Sequence, residues 1–331
     1  MRTITVDYAS RVSTLSPHPS SSTLDAASLL VVGAIASTGS ITAAAQALGS
    51  SQPAVSQHLR RLERRLGMPV VERVGRGVRL TEAGAILAGH AVAVDRAVRA
   101  ASEEVAALAG LRRGRVRLVA FPSASSMLVP QLLARLADEH PGIGVSFVEA
   151  EPPEAVAAVR AGEADVAITF SYPDDPDDPH RESAAGLRVR RFGTDPMRLV
   201  LPVGHARAGD RQVDLAALAG ERWIAGCPRC RGHLLGLCRS SGFEPVIAHE
   251  TDNAIAVTAL VAAGLGVALL PTLALAAAQL PTEVVVLPTR NDDDRALHLV
   301  SAEHADRIPA VAALLRIAAS LGGATKMTGD V

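Results

Sequence analysis

The chain has 331 residues, of which 48% are hydrophobic and 20% are charged, a composition typical of a packed globular protein and not of a disordered one. Its length suits two or three structural units. Aromatic residues make up 2% and cysteines number three, which argues against stacking on single-stranded nucleic acid and excludes a disulfide framework. No basic stretch followed by an apolar one opens the chain, so we expect a cytoplasmic location.

The net charge of −1 is unevenly distributed along the chain. Residues 1–115 contain 14 arginines and 8 acidic residues, whereas the remainder contains 19 basic and 26 acidic residues. A basic segment joined to an acidic body predicts a part that binds a polyanion and a separate part for sensing or assembly. A solvated charged face is the alternative interpretation.

Residues 1–22 form an arm rich in Ser, Thr and Pro. We expect this arm to be disordered, and a start codon assigned too early is the alternative explanation for it. Two short helices separated by a tight turn are predicted after it. Ser40 is suited to cap the first helix and Gly49 to end it. Pro53 suits the first turn of the second helix. The gap of about three residues is typical of a helix–turn–helix.

The second helix separates into an apolar side and a polar side when its residues are placed about 100° apart. The apolar side comprises Val55, Leu59, Leu62 and Leu66. The polar side comprises Pro53, Ser56, Gln57, Arg60 and Arg64. Hydroxyl, amide and guanidinium groups hydrogen-bond base edges and phosphates in a major groove, so this side is predicted to face DNA. An ordinary surface helix is the alternative.

A β-hairpin with a glycine-flanked arginine at its tip is predicted over residues 70–81. Gly75 and Gly77 permit the tight turn, and Arg76 can enter a minor groove or contact phosphates. A helix–turn–helix followed by such a wing is typical of a DNA-binding module. We therefore predict a winged helix–turn–helix domain over residues 23–82.

Five segments carry a resemblance to a known family. They are GSITAAA at 39–45, SQPAVSQ at 51–57, LRRLE at 59–63, LG at 66–67 and RGVRLTEAG at 76–84. In these segments residues 24–90 resemble the DNA-binding part of LysR-type transcriptional regulators. The family often has Arg at the position of Gln57, so this chain has one basic DNA contact fewer. The DNA-binding residues expected from the pattern and the resemblance are Thr42, Gln52, Pro53, Ser56, Gln57, Arg60, Arg64 and Arg76.

A long Ala-rich helix, residues 83–110, is predicted to link this domain to the body. Its apolar residues are spaced alternately by four and three positions, which is a heptad seam that needs a partner helix. The dimerisation residues predicted from it are Leu87, Val94, Val98, Val105 and Leu108. A dimer implies a dyad operator; packing of the seam on its own domain is the alternative. The resemblance also implies homodimers, which are often assembled into homotetramers. Glycines after this helix predict a hinge at 111–115.

From residue 116 onward, apolar runs alternate with helical stretches, which predicts βαβ units and a parallel sheet. The chain makes two such sets and then returns, so we expect two lobes with a cleft between them. The effector-binding domain is predicted over 116–321, with lobe I at about 116–195 and 296–321 and lobe II at about 196–295. Residues 322–331 are predicted to form a frayed tail.

This body also resembles the effector-binding domain of the same family, which is similar in fold to periplasmic solute-binding proteins. The run GLGVALLP at 264–271 carries that resemblance. The expected fold class is therefore α/β, with an N-terminal all-α winged helix–turn–helix and a C-terminal two-lobed α/β domain like a periplasmic binding protein. The uncharged stretch 254–282 is long enough to cross a bilayer, but its glycines and proline favour a buried helix–strand–helix.

Ligands of such sheets bind beyond the carboxyl ends of strands, often at helix N-termini. This rule selects the effector-binding candidates Ser123, Ser125, Ser126, Glu151, Ser171, Cys227 and Thr251. Helix capping is the alternative role for each of them alone. The serines that precede a helix predicted to start at residue 127 favour a small organic acid as the effector.

The three cysteines lie close together in the sequence. Cys227 and Cys230 form a Cys-x-x-Cys pair, followed by His233 and Cys238. The spacing is not a common zinc-finger spacing, whereas a Cys-x-x-Cys pair at a helix N-terminus can act as a redox pair. We expect a structural or incidental role, with redox or metal sensing as the alternative.

No other group of residues indicates catalysis, since the chain lacks the His-Glu-x-x-His, Gly-x-Ser-x-Gly and phosphate-loop motifs. We expect no enzyme activity, no cofactor and no metal. The predicted function is that of a transcriptional regulator that binds a dyad operator and responds to a small-molecule effector held between two lobes, with RNA polymerase as a further partner and no membrane. The alternatives are a thiol redox enzyme or sensor built on Cys227 and Cys230, and a solute receptor, which would need export.

Overall fold

The computed structural model describes residues 24–74, 77–108, 114–173, 175, 178–180, 186–290 and 293–324. Four predicted features lie wholly or mostly outside these residues: the arm 1–22, the wing tip with Arg76, the hinge at 111–115 and the tail 322–331, of which only 114–115 and 322–324 are described. The chain forms two compact units, divided between Ala101 and Ser102.

The first unit contains a helix–turn–helix and a two-stranded antiparallel hairpin. Its elements are α1 (Ala26–Thr38), α2 (Ile41–Ala47), α3 (Gln52–Leu66), β1 (Val71–Val74), β2 (Gly77–Leu80) and the first part of α4 (Glu82–Leu108). The predicted cap is confirmed, since Ser40 Oγ accepts a hydrogen bond from the Ala43 N–H at 3.4 Å. Pro53 lies in the first turn of α3, as predicted.

The apolar side of α3 packs into the core of the first unit. Val55, Leu59 and Leu62 are 2%, 4% and 0% exposed, and Leu66 is packed against the same cluster. Full burial of one such side chain stabilises the fold by about 1.5–3 kcal/mol. The amphipathic pattern therefore fixes which side of α3 remains available to solvent.

The linker helix α4 spans Glu82–Leu108, close to its predicted bounds. Leu87 is 6% exposed and belongs to the core of the first unit. This corrects its assignment to the dimer seam, because a side chain that is already covered leaves little surface for a partner. Farther along the helix, Val98 and Val105 are 49% and 65% exposed, and the Leu108 side chain lies outside the described part of the chain.

The second unit is an α/β structure built on one large sheet. Its strands are β3 (Gly114–Ala120), β4 (Ile143–Glu149), β5 (Val166–Ser171), β6 (Leu187–Pro202), β7 (Arg222–Ala225), β8 (Val246–Glu250), β9 (Val267–Pro271), β10 (Val284–Pro288) and β11 (Asp294–Ala302). Its α-helices are α5 (Pro122–Met127), α6 (Val129–Glu139), α7 (Pro152–Arg160), α8 (Pro228–Ser240), α9 (Ala254–Ala262), α10 (Thr272–Ala277) and α11 (Pro309–Ala324). Short 3-10 helices lie at Leu215–Leu218 and Ala305–Arg307.

The sheet is mixed rather than parallel, which corrects the prediction. Its order is β4-β3-β5-β11-β6-β9-β7-β8, with β10 also paired to β6. Strand β3 is parallel to β4 and β5, and β7 is parallel to β8 and β9. The long strands β6 and β11 run antiparallel to their neighbours, because the chain crosses from one lobe to the other in opposite directions along them.

Strand β3 begins earlier than predicted. Gly114 and Arg115 were expected to end the hinge, but they pair in register with Ile143 and Gly144 of β4. A Cβ on Gly114 would lie 2.5 Å from the Cβ of Ala310. This glycine therefore permits close packing of the strand against α11.

The uncharged stretch 254–282 folds as helix α9, buried strand β9 and helix α10, as predicted. Among the described residues, no single helix is both long and apolar enough to cross a membrane. One bent pair, α1 with α2, passes on length and composition only.

Candidate functional sites

The polar side of α3 forms the first candidate site. Pro53, Gln57, Arg60 and Arg64 are exposed, and Ser56 is partly exposed. The side chain of Gln52, also exposed, donates to Ser56 Oγ at 2.9 Å. These residues present amide, hydroxyl and guanidinium groups on one side of a helix whose opposite side is buried.

The arginines of α3 have different surroundings. Arg64 Nε donates to the main-chain oxygen of Arg60 at 3.4 Å, and both side chains point outward. Arg65, in contrast, forms an ion pair with Asp25 at 3.0 Å and donates to Ser28 Oγ at 3.0 Å. Arg65 therefore joins α3 to α1, whereas Arg60 and Arg64 remain on the candidate DNA-binding surface.

Asp25 caps helix α1, a role that the sequence analysis did not assign. Its Oδ1 accepts the Ser28 N–H at 2.7 Å. Hydrogen bonds from the N–H and hydroxyl of Ser28, followed by those from Arg65, lower the pKa of Asp25 to about 2. The pattern Asp-x-x-Ser ahead of an apolar helix was the available signal.

Glu63 connects the end of α3 to the wing. One of its carboxylate oxygens accepts the N–H of Val70 at 2.9 Å and the N–H of Val71 at 3.4 Å. These bonds fix the first wing strand relative to the end of α3. The remaining predicted DNA-binding residue in the described region, Thr42, is exposed on α2.

The second candidate site is a small pocket of about 60 Å³ in the second unit. Of the seven predicted effector-binding residues, four line it: Ser123, Glu151, Cys227 and Thr251. Each follows the carboxyl end of a strand, namely β3, β4, β7 or β8. The expectation that ligands bind beyond the carboxyl ends of strands therefore identified pocket residues from both halves of the sheet.

The other three predicted effector residues do not line the pocket. Ser125 Oγ donates to the carbonyl oxygen of Phe121 at 3.0 Å, and Ser126 Oγ to that of Pro122 at 3.2 Å. The prediction placed them in a loop, but Pro122 starts helix α5 there and both hydroxyls satisfy helix carbonyls. Ser171 is 8% exposed and hydrogen-bonds His298 at 2.8 Å.

Arg295 of β11 lines the pocket but was absent from the predicted set. It is 2% exposed, pairs with Asp195 at 2.7 Å and donates to Ser123 Oγ at 2.7 Å. Burial opposes its charge, but the Asp195 carboxylate outweighs burial and raises the pKa of Arg295. A charged residue next to an apolar strand was the signal, but the strand was predicted to begin at residue 296 and in fact begins at Asp294, so that it includes Arg295.

Glu151 is the acidic group of the pocket. Burial raises the pKa of its carboxyl to about 7, with a further contribution from the negative charge of Cys230. Its Oε2 is buried and has no hydrogen-bond partner among the described residues. Glu151 therefore changes charge near neutral pH.

Two of the cysteines meet in this pocket. The Cys227 thiol, at the N-cap of α8, donates to Cys230 Sγ at 3.0 Å, and the Tyr172 hydroxyl donates to the same sulfur at 3.5 Å. The hydrogen bond from Cys227, together with the charge of Arg295 and the bond from Tyr172, lowers the pKa of Cys230 to about 6. The same hydrogen bond and burial raise the pKa of Cys227.

The third cysteine is separate from this pair. Cys238 is 0% exposed, and burial raises the pKa of its thiol to about 12. His233 stacks on Tyr172 with ring centroids 3.9 Å apart. In the described part of the chain, no three or more His, Cys, Asp or Glu side chains are grouped to hold a metal ion.

Two family models match the chain. The model described as "Bacterial regulatory helix-turn-helix protein, lysR family" matches residues 27–85. The model described as "LysR substrate binding domain" matches residues 109–322. The first match covers the helix–turn–helix and the wing, and the second covers the two-lobed unit.

Among curated proteins, the chain is similar to the HTH-type transcriptional regulator IlvR of Caulobacter vibrioides, with 32% identity over 72% of this chain and 79% of that protein. It is also 32% identical to a probable hydrogen peroxide-inducible genes activator of Mycobacterium avium, over 72% of this chain and 75% of the relative.

Among solved structures, a full-length OxyR variant from Pseudomonas aeruginosa has a TM-score of 0.68 at 19% identity, covering 89% of this chain and 94% of that one. CbnR in complex with its target DNA has a TM-score of 0.50 at 22% identity, covering 89% and 100%. These structural likenesses concern the fold.

Proposed function

Because the chain belongs to the LysR family of bacterial transcriptional regulators, we propose that the polar side of α3 docks into the major groove of operator DNA. The protein is a DNA-binding transcriptional regulator with an effector-binding domain. One observation carries the docking proposal: Val55, Leu59 and Leu62 of α3 are buried, while the opposite side of the helix presents amide, hydroxyl and guanidinium groups to solvent.

Within this docking model, side chains have two kinds of role. Gln52, Ser56 and Gln57 can hydrogen-bond base edges, while Arg60 and Arg64 supply positive charge to phosphates. The remaining proposed contacts are Thr42 on α2, Pro53 in the first turn of α3 and Arg76 of the predicted wing tip. Glu63 holds the wing strand at the end of α3, so it positions the wing without contacting DNA itself.

We propose that two copies pair through α4 and present two α3 helices to a dyad operator. Val98 and Val105 are exposed on the seam, and a soluble helix stabilises such a row by burying it against a partner. With Leu87 occupied in its own core, the proposed interface begins near Val94. The proposed domains are the winged helix–turn–helix at 23–82, the linker helix at 83–110 and the effector-binding domain at 116–321. The proposed location is the cytoplasm, because a bacterial regulator must reach the chromosome.

We propose that the effector is a small organic acid bound in the pocket formed by Ser123, Glu151, Cys227 and Thr251. Arg295 supplies a positive group that the strand-end loops lacked, although Asp195 already neutralises it. A cavity of about 60 Å³ is much smaller than the roughly 300–1,000 Å³ of typical ligand sites. The lobes must therefore separate to admit an effector larger than a few atoms.

Effector binding then acts through a difference in affinity for the open and closed lobes. The preferred state changes the angle between the DNA-binding pairs, and with it DNA bending and the access of RNA polymerase. In this model, the change in DNA bending and polymerase access is how effector binding alters transcription.

The test is to retain genomic DNA fragments on the purified full chain and to sequence them, with gel shifts repeated at increasing salt. We expect enrichment of fragments with an interrupted palindrome and an affinity that falls steeply as salt rises, because arginines displace counterions from phosphates. Retention without sequence preference, or binding insensitive to salt, would contradict the docking model.

A further inference from the structure

We propose that Cys230 and Cys227 form a hydroperoxide-reactive dithiol in the effector pocket, which closes to an intramolecular disulfide. This proposal deepens the proposed function, because it rests on that pocket being the regulatory site. It adds a covalent modification site to a pocket that otherwise binds its effector reversibly.

The geometry favours this pair over any other pairing of the three cysteines. The Cys227 and Cys230 sulfurs are 3.0 Å apart, about 1 Å from the length of a disulfide bond. Cys227 is the N-cap residue, outside the helical turns of α8, so its side chain can move toward Cys230 without breaking the helix. Cys238 lies in the core, ten helical residues beyond Pro228, where its thiol is buried.

The charges around the pair make Cys230 the attacking sulfur. Its thiolate accepts hydrogen bonds from Cys227 and Tyr172 and lies near the guanidinium of Arg295. The lowered pKa of Cys230 favours its thiolate near neutral pH, and the thiolate is the reactive form. Cys227 is held as a thiol with a raised pKa, ready to act second.

The pocket selects the oxidant by size. Cys230 is partly exposed and lines the cavity together with Cys227. A volume of about 60 Å³ corresponds to about two water molecules, enough for a hydroperoxide with two oxygen atoms. While the lobes are closed as in this structure, a bulky disulfide or an aromatic hydroperoxide does not fit. The proposed oxidant is therefore a small hydroperoxide.

The reaction takes two steps. In the first, the Cys230 thiolate attacks one peroxide oxygen: an S–O bond forms, the O–O bond breaks, and the departing alkoxide or hydroxide takes a proton, giving an alcohol or water and a sulfenic acid. In the second, Cys227 sulfur attacks Cys230 sulfur: the S–S bond forms, the S–O bond breaks, and hydroxide leaves as water with the proton of Cys227. Two thiols are oxidised and one peroxide is reduced.

Oxidation changes the charge of the pocket. The disulfide removes the thiolate near Arg295, and it also removes the negative charge that helps to raise the pKa of Glu151. Glu151 then ionises more readily, so a negative charge moves from one wall of the pocket to the other. The electrostatic environment offered to the effector differs between the two redox states.

The experiment uses the reduced full chain without DNA, treated with one equivalent of hydrogen peroxide, blocked with N-ethylmaleimide and mapped by peptide mass spectrometry. We expect the free thiols to fall from three to one and the disulfide to join Cys227 and Cys230. In C227S we expect a dimedone-trapped sulfenic acid at Cys230, and in C230S a fall of at least tenfold in oxidation rate. C238S is the matched control and retains the wild-type rate.

Two further measurements separate chemistry from misfolding. Circular dichroism of each variant checks that it is folded, and the wild-type rate is expected to rise through about pH 6 as Cys230 ionises. Cumene hydroperoxide is expected to react at least tenfold more slowly than hydrogen peroxide. A disulfide that contains Cys238, a disulfide between two chains, or equal rates in C230S and wild type would overturn the proposal.

The proposed function fails or holds separately. Retention of operator DNA by the reduced protein is measured on its own, and the thiol count involves no DNA. If the protein forms the disulfide but retains no specific DNA fragments, the docking model is wrong and the dithiol proposal is supported. If it retains specific fragments but forms no disulfide between Cys227 and Cys230, the dithiol proposal is wrong and the docking model is supported.

Discussion

Arg295 and Asp195 lie directly opposite each other on the antiparallel strands β11 and β6, and their side chains form an ion pair of 2.7 Å. The two side chains are only 3% and 0% exposed. Asp195 also accepts the N–H of Leu273 at 3.0 Å, and Arg295 donates to Ser123. Elements from both lobes therefore converge on one buried pair beside the pocket.

Asp195→Asn is expected to destabilise the second unit by about 3–5 kcal/mol, because it leaves the Arg295 charge buried without its partner. Chemical denaturation followed by the fluorescence of Trp223, the one tryptophan of the chain and 0% exposed, reports on this unit. Asp306→Asn is the control, since it removes an exposed ion pair with Arg188 and should cost less than about 1 kcal/mol. Equal losses in the two variants would contradict the role assigned to burial.

Gly84 and Gly89 of α4 should respond oppositely to alanine. A Cβ on Gly84 would overlap the carbonyl oxygen of Val70, whereas a Cβ on Gly89 meets nothing within 4 Å. Gly84→Ala is expected to cost about 1–3 kcal/mol by overpacking, and Gly89→Ala to stabilise by up to about 1 kcal/mol through helix propensity. Differential scanning calorimetry of the first unit within the full chain measures both. Stabilisation by Gly84→Ala would show that the wing does not pack against α4 in this way.

Asp25 gives the first unit an acid-sensitive cap. Its folded pKa, about 2, lies below the ordinary value of 3.8, so its contribution is present above about pH 4 and is lost as the pH falls toward 2. Asp25→Ala should cost about 1 kcal/mol at pH 7, and the difference from wild type should shrink markedly as the pH falls to 2.

The control for this change is Asp25→Asn, which retains a capping oxygen without a titratable group. We expect its stability at pH 7 to lie between those of wild type and Asp25→Ala, because Asn keeps the capping oxygen but loses the ion pair with Arg65, and to lack the acid-dependent loss attributed to Asp25. Thermal unfolding between pH 2 and pH 7 follows all three proteins. A constant difference between wild type and Asp25→Ala over that range would refute the cap's ionisation.

Arg60→Ala should weaken operator binding and reduce the salt slope by about one, because one phosphate contact is lost. Arg211→Ala, an exposed arginine of the second unit, controls for the change in net charge. Gel shifts over a salt series measure both slopes. If the two variants have the same slope, Arg60 does not face the backbone of DNA.

Val98→Asp should shift the protein toward monomers, because it places a charge in the exposed seam of α4. Ala93→Asp, on the other side of the helix and also exposed, should leave the assembly unchanged. Sedimentation velocity distinguishes the two outcomes, and a wild-type distribution for Val98→Asp would place the dimer contact elsewhere.

Local patterns predicted the first unit well. The caps, the turn and the two sides of α3 follow from residues close in sequence, such as Ser40, Pro53 and Leu62. Leu87 was misassigned, because a heptad position does not reveal whether a neighbouring core already covers it. That choice depends on tertiary packing.

The pocket was only partly predictable. Glu151 and Thr251 were found from strand ends, a rule that needs only the order of elements. Arg295 was missed because its strand returns antiparallel from a distant part of the chain, and short-range periodicity does not encode strand direction. Ser125 was misplaced by an early helix start at Pro122.

Strand β6 gives up its partner β11 at Pro196 and takes up β9 at Met197. Any rotation of one lobe against the other must therefore be absorbed where β6 and the start of β11, the two strands along which the chain crosses, pass between the lobes. Pro196, at this crossing, offers no amide hydrogen for a ladder bond, and the register shift between Leu297 and His298 interrupts the ladder near Gly193. We therefore expect the residues around Pro196 and the start of β11 to govern how readily the two lobes turn against each other.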